Sequence, residues 1–286
     1  MTRWLLPGFL GIGVLATLLL IVGPAFYAVS LSFYDMPSLT ADPVWVGFAK
    51  YGEVLASAAF WNALWNGIVY AGLAIVLQVV LGIGFALLLN QNFIGRSLLR
   101  GLAFLPYLLP TVVAVLVFKW MVDGSLGIVT ILMDDWGLPP IYWFETETAS
   151  MVSVILISVW LWTPFVTTTF LAGLQTVPTQ LYEAARVDGA GPIRQFFHVT
   201  LPSLRPILTV IILLRGVWMF NKFDVVWLAT GGGPLGATEH LPVLSYREAF
   251  ALYDIGSGAA IATLSFFVLM VAVAIYFRVF PMEQGK

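Results

Sequence analysis

The 286-residue sequence contains no cysteine and only two histidines, His198 and His240. The missing thiols exclude disulfides, thiolate metal sites and cysteine nucleophiles together. Charge is almost as scarce. Acidic and basic side chains make up 10% of the residues, against about 25% in an ordinary soluble domain. No basic cluster or nucleic-acid-binding motif breaks that scarcity, so no nucleic-acid partner is expected. The run Gly231-Gly232-Gly233-Pro234 lacks the Gly-Lys-Ser/Thr ending of a phosphate loop, so the chain is not expected to hydrolyse ATP itself.

Apolar side chains fill the space that charge leaves. They account for 60% of the chain, and the mean hydropathy is +0.95. Apolar runs of about twenty residues, enough for a helix to cross a hydrocarbon core of ~30 Å, recur along the sequence. Six spans are expected, at about Trp4–Leu31, Asn62–Leu89, Leu102–Val122, Ser150–Gly173, Leu204–Thr230 and Gly256–Phe280. The first resembles a signal peptide but is too long for one and lacks a small-x-small cleavage site, so it reads as a retained span. Pro106, Pro110 and Pro164 suggest kinks, tolerated where neighbouring helices satisfy the freed backbone. The fold class is therefore an all-α polytopic membrane protein, a single domain over residues 1–286, with no internal repeat.

Basic residues near span ends set the orientation. With the N-terminus in the cytoplasm, Arg3, Arg96, Arg100, Arg186, Arg194, Arg205, Arg278 and Lys286 all fall inside, eight of the thirteen Lys and Arg residues. Both termini are expected to be cytoplasmic. That places a polar loop, about residues 175–203, on the inner face between spans four and five.

The loop carries EAARVDGAGPIRQFFHVTLPSLRPIL, from Glu183 to Leu208. Pro178 suits a first helical turn, and Pro178 to Asp188 contains no breaker, predicting a helix of ~16 Å. Gly189, Ala190, Gly191 and Pro192 then read as stop, turn and restart. Glu183 and Arg186 stand one turn apart and can pair. A lipid-interface helix would carry a broad apolar stripe and a lysine-rich polar face, and this one has neither. A protein partner explains the small Ala184 and Ala185 better.

The segment resembles the EAA motif of permease subunits in binding-protein-dependent ATP-binding-cassette importers. Glu183, Ala184, Ala185, Gly189, Val199, Leu201 and Pro202 keep that family's spacing, with Val199 in place of isoleucine. The resemblance implies a coupling helix in which Glu183 through Asp188 and Gly189 meet a cytoplasmic ATPase. It further implies a second homologous permease, two ATPase subunits, an extracytoplasmic solute-binding protein, and a bacterial or archaeal cytoplasmic membrane. ATP and magnesium would be used by the partner ATPases, and no cofactor would be bound by this chain.

A second stretch, RGVWMFNKFDVVWLATGGGP from Arg215 to Pro234, resembles the carbohydrate-uptake branch of these permeases, which includes the maltose and glycerol-3-phosphate types. The cargo implied is a carbohydrate, polyol or glycoside. Asn221 and Asp224, three residues apart, are expected to share a helix face with Trp218 one turn before them, offering hydrogen bonds and an aromatic surface to a sugar. Phe223 belongs to the same motif. Arg215 falls ~16 Å into its span, where a charge is unlikely to face lipid. It suits either a counter-ion for an anionic or strongly polar cargo or, by preference, structural pairing with helix-end carbonyls or a partner subunit. Gln78 and Thr168 are lesser path candidates, because hydroxyls often bond back to their own helix. Two rivals fare worse. An intramembrane enzyme built on Ser257 has no histidine in a span with it, and Gly256-Ser257-Gly258 reads better as close packing. A stand-alone ion-coupled secondary transporter would want a midplane acid and repeated halves.

Overall fold

A computed structural model describes residues 11, 13–38 and 40–281. The described residues form two compact units, one from residues up to Leu64 with His240–Val268, the other from Trp65–Glu239 with the residues after Leu269. Four helices are long and apolar enough to cross a membrane, or six spans if each of two bent helix pairs counts as one.

The first unit begins with α1 (Gly13–Leu31), which buries none of its residues against the rest of the described chain. A hairpin follows, β1 (Tyr34–Asp35) antiparallel to β2 (Val44–Trp45), with Tyr34 opposite Trp45. Phe33 stacks on Trp45 at 5.6 Å between ring centroids. Helix α2 (Ala49–Ala56) then carries Lys50, 8% exposed despite its charge. Its Nζ lies 2.9 Å from Asp35 Oδ1 and 3.1 Å from Asp254 Oδ2. Asp254 stands just before the last long helix, where it accepts hydrogen bonds from the Ser257 backbone N–H and hydroxyl. Ser257 is thus engaged in a helix-start bond, with no nucleophilic environment. A methyl group on Gly256 would come within 2.1 Å of the Tyr34 carbonyl oxygen, so this glycine permits the hairpin's close approach.

In the second unit, α3 (Ala58–Asn90), which starts in the first, is followed by α4 (Arg96–Leu108) and α5 (Thr111–Met121), both packed on the long helix that comes next but one. The expected third span bends by 96° between α4 and α5. The break falls at Leu109-Pro110: proline has no N–H to give, and its ring forces Leu109 into extended backbone (φ −76°, ψ 137°). Pro106 is accommodated inside α4. After the short α6 (Ile128–Asp135) comes α7 (Glu147–Leu174), whose start is capped by Thr146 Oγ1 accepting from the Ala149 N–H. It is the best-buried long helix. The polar segment follows as α8 (Thr179–Val187) and α9 (Pro192–Ser203), then α10 (Arg205–Phe220) and α11 (Phe223–Thr230). The expected fifth span is therefore discontinuous: α9 meets α10 at 71°, and α10 ends before Lys222, whose φ −79° and ψ 87° are not helical. Helix α12 (Leu241–Tyr246) returns to the first unit, and α13 (Ile255–Val279) closes the chain.

The Lys50 cluster makes stability pH-dependent in a defined direction. Partial burial opposes ionisation of Asp254, but the Ser257 bonds and Lys50 outweigh it and hold the carboxyl below its usual range. Partial burial likewise opposes the Lys50 charge, and Asp35 and Asp254 outweigh it and raise the amine above its usual value. The Asp254 contribution is complete above the ordinary aspartate value of about 3.9 and is lost as pH falls through its lower folded value. The Lys50 contribution is complete below the ordinary lysine value of about 10.4 and is lost as pH rises through its higher folded value. Thermal unfolding of the detergent-purified protein should show Lys50→Met less stable than wild type at neutral pH, with the gap closing in acid. An equal gap at both pH values would show that the pairing contributes nothing.

Candidate functional site

The polar segment is the first site. Pro178 occupies the position just before α8, with ψ 130°, instead of its first turn. The helix begins at Thr179. At the other end Gly189 adopts φ +74°, the left-handed conformation glycine tolerates best. The Ala190 N–H reaches back to the Ala185 carbonyl (2.8 Å), closing the helix end. Gly191 is extended and Pro192 opens α9, as the sequence pattern requires.

The segment is fastened from below. Tyr182, Val199, Leu201 and Ile207 pack against a core that includes Leu89, Val166, Phe170, Leu174 and Leu204. The Tyr182 and Thr200 hydroxyls lie 3.0 Å apart. Gly173 lets α10 approach α7, since a Cβ there would meet Ile207 Cδ1 at 2.6 Å. The motif residues thus divide. Val199 and Leu201 anchor, whereas Glu183, Ala184, Asp188, Gly189 and Pro202 are exposed and Ala185 is half-buried. Val187 and Ile193 beside them are 88% and 77% exposed, an apolar surface on an otherwise polar segment. The expected pair of Glu183 with Arg186 does not form: Arg186 Nε donates to its own helix at the Tyr182 carbonyl (3.3 Å), leaving Glu183 without an ion pair among the described residues.

A polar cluster inside the second unit is the other site. Arg215 and Gln78 are almost wholly buried, at 1% and 0% exposure. Arg215 Nε donates to Gln78 Oε1 at 2.8 Å, and its Nη2 lies 3.2 Å from Met219 Sδ. Gln78 Nε2 donates to the Ser158 carbonyl at 3.2 Å. The guanidinium carbon stands 5.3 Å from the Trp162 ring and 5.7 Å from that of Trp218, within cation–π range. Arg215 therefore rests on a glutamine and two indole faces of its own chain. Gln78, expected to face the cargo, is its support.

Over this cluster lies an aromatic wall. Phe165 meets Trp218 edge to face at 5.3 Å, and Tyr107 stands 6.4 Å from Phe165 and 5.5 Å from Trp162. Trp218 is 43% exposed. Lys222 Nζ sits 4.3 Å from the Trp162 ring centroid and 3.0 Å from Asp224 Oδ2. Asn221 is exposed and donates to the Val217 carbonyl. Asn221 and Asp224 do not share one helix face, because the chain breaks between α10 and α11. Phe223 turns to stack on Trp227 at 5.5 Å. Thr168 is also apart from the wall: its hydroxyl bonds back to the Pro164 carbonyl (2.9 Å), and it lines a separate cleft with Arg100 and Gln175. Tyr107, Trp162, Phe165 and Lys222 were missed by sequence reasoning as site residues. The available signal was the three-residue spacing of Trp162 and Phe165 in one span and the four-residue spacing of Trp218 and Lys222 in the next. Among the described residues no cluster of three His, Asp or Glu could hold a metal.

Long apolar helices, a polar segment locked beneath them and a charged aromatic cluster within define a multi-pass membrane transport component. Residues 78–281 match the binding-protein-dependent transport system inner membrane component family, and the chain belongs to it. It is 32% identical over 274 residues to the trehalose/maltose transport system permease protein MalF of Thermococcus litoralis, covering 95% of this chain and 92% of that one. With the sulfoquinovosyl glycerol transport system permease protein SmoG of Agrobacterium fabrum it shares 33% over 289 residues, covering 97% and 93%. The fold matches a chain in the crystal structure of a bacterial alginate ABC transporter bound to an alginate pentasaccharide-carrying periplasmic protein, with a TM-score of 0.86, 20% identity and coverage of 99% and 96%.

Gln78 is the acceptor on which buried Arg215 depends, so Gln78→Leu should destabilise the protein by about 1.5–3 kcal/mol, the usual worth of a hydrogen bond to a charged group. Gln78→Glu keeps an acceptor and should cost much less. Thermal unfolding in detergent measures both, and a Gln78→Leu protein as stable as wild type would remove Gln78 from this role.

Proposed function

We propose that this chain is a permease subunit of an ATP-driven importer that moves a carbohydrate, polyol or glycoside across the cytoplasmic membrane of a bacterium or archaeon. The observation that carries the proposal is the α8–α9 segment. It presents the Glu183-Ala184 surface outward while Tyr182, Val199 and Leu201 bind it to the base of α7. A separate ATPase gripping Glu183 through Gly189 would move that base as one body, and ATP would favour one access state through differing contacts in the two. ATP and magnesium belong to that ATPase, and this chain binds no cofactor. Basic residues near the span ends support a cytoplasmic α8–α9 segment and cytoplasmic termini.

The apolar surface of α1, unburied in this chain, suits lipid and a second homologous permease, with two ATPase subunits below and an extracytoplasmic solute-binding protein above. The relatives support a carbohydrate cargo: one is named for trehalose and maltose, another for sulfoquinovosyl glycerol, and the similar fold belongs to an alginate transporter. Trp218, Asn221, Asp224 and Lys222, with Tyr107 and Phe165, would line the path, and stacked rings with polar partners suit a hydroxyl-rich ligand. Membership of a binding-protein-dependent family leaves the ion-coupled alternative without support.

The tagged protein, purified from its own host in mild detergent, should bring with it an ATPase and a second permease identifiable by mass spectrometry. Gly189→Trp, which puts a bulky side chain on the proposed contact and at a positive φ, should abolish uptake while the protein still inserts and folds. Recovery of a lone subunit under conditions that keep known importers intact, together with normal uptake by Gly189→Trp, would defeat the proposal.

A further inference from the structure

We infer that the chain binds an anionic phospholipid in a trough between α3, α4 and α7, on the side of α7 away from the aromatic wall. Trp162 and Phe165 of the wall lie on one side of that helix. Leu156, Trp160, Thr163 and Thr167, spaced by three or four residues, share the opposite side. With Phe85 of α3 and Ala103 of α4 they line a cavity of about 410 Å³, an ordinary size for a ligand pocket. The Thr163 and Thr167 hydroxyls are occupied by their own helix, at the Val159 and Thr163 carbonyls. The surface left to an occupant is therefore apolar. Phe85, Leu156 and Trp160 are 48%, 38% and 47% exposed, so the trough opens to the side of the bundle.

Ala103, Pro164 and Thr167 also line a second cavity, of about 200 Å³, which continues the trough toward Leu89 and Gln175. Arg100 is the one charged residue lining either cavity. Its Nε and Nη2 both donate to the Leu89 carbonyl, at 3.3 and 2.8 Å, which leaves Nη1 without a partner among the described residues. Arg96, one turn earlier on α4, adds positive potential. An apolar slot ending on an open guanidinium matches an acyl chain with a phosphate at its head. The chain fills the slot, and the phosphate oxygens accept from Nη1. Basic pockets between spanning helices at the cytoplasmic face hold headgroups in this way. The orientation proposed above puts that end in the inner leaflet, and the binding does not depend on the cargo. The first span of a second copy suits the trough less well, because residues 1–31 hold no acid to meet Arg100.

Native mass spectrometry reads the site in the complete importer, delipidated in mild detergent and offered phosphatidylglycerol and phosphatidylcholine of the same acyl chains in equal amounts. If the chain purifies without partners, the import reading fails and the same comparison is made on the chain alone. Wild type should retain phosphatidylglycerol by about fivefold over phosphatidylcholine, the preference one basic side chain gives beside an anionic headgroup. Arg100→Gln should abolish that preference. Because Arg100 also holds Leu89, Thr168→Glu provides a second reading: it sets an acid against the headgroup from an exposed position and should likewise remove the preference. Ala103→Trp fills the junction of the two cavities and should release the retained lipid. Equal retention of both lipids by wild type overturns the inference, as does a preference that survives Thr168→Glu or retention that survives Ala103→Trp. Lipid held by the isolated chain but excluded from the complete importer assigns the trough to a neighbouring subunit and overturns it as well.

Discussion

Burial of α7 is the constraint on which the larger unit is built. Its most apolar 18-residue window is 61% enclosed within the chain, against 28% for α3 and 22% for α13. Several of the polar groups it encloses find partners, whereas Ser150 Oγ and Trp162 Nε1 have none among the described residues. Ser158 gives its carbonyl to Gln78 and shares its hydroxyl with Tyr70 at 2.6 Å, while Thr163 bonds back to the Val159 carbonyl. A helix so held has few positions free to vary: at Trp162 it supports a cation, and at Val166, Phe170 and Leu174 it supplies the core under the polar segment.

The two sites are consequently two levels of one rod. Trp162 and Leu174 are twelve residues apart, ~18 Å along a helix. At the lower level Tyr182, Val199 and Leu201 pack on the rod; at the upper, Arg215 and the aromatic wall do. Between the two levels α7 carries Pro164, which removes one backbone hydrogen bond from the helix that joins them. The break between α10 and α11 falls at Asn221-Lys222, and two of the proposed path residues stand there.

Local chemistry was legible in the sequence, and long-range pairing was not. Proline and glycine announce backbone limits by themselves, so α8, its left-handed stop at Gly189 and the restart at Pro192 could be read directly, with Pro178 misplaced by one position. Arg215 and Gln78 were each singled out, but 137 residues separate them and no local signal joins them. The shared face of Asn221 and Asp224 failed for the opposite reason: Asn-Lys-Phe-Asp contains no breaker, and propensity alone continues the helix through it. Glu183 and Arg186 failed because a spacing permits an ion pair without requiring one. An arginine has a carbonyl of its own helix equally near.

Exposed apolar surface means different things on α1 and on the α8–α9 segment. On α1 it carries little information, since lipid is as suitable a neighbour for it as protein. On the α8–α9 segment it carries more. Val187 and Ile193 flank Glu183, Arg186 and Asp188, charged residues that suit water. Holding such groups open to water is unfavourable by up to about 1.5–3 kcal/mol apiece, and the anchored core beneath gives them no route inward. The ATPase proposed to grip Glu183 through Gly189 would cover that surface.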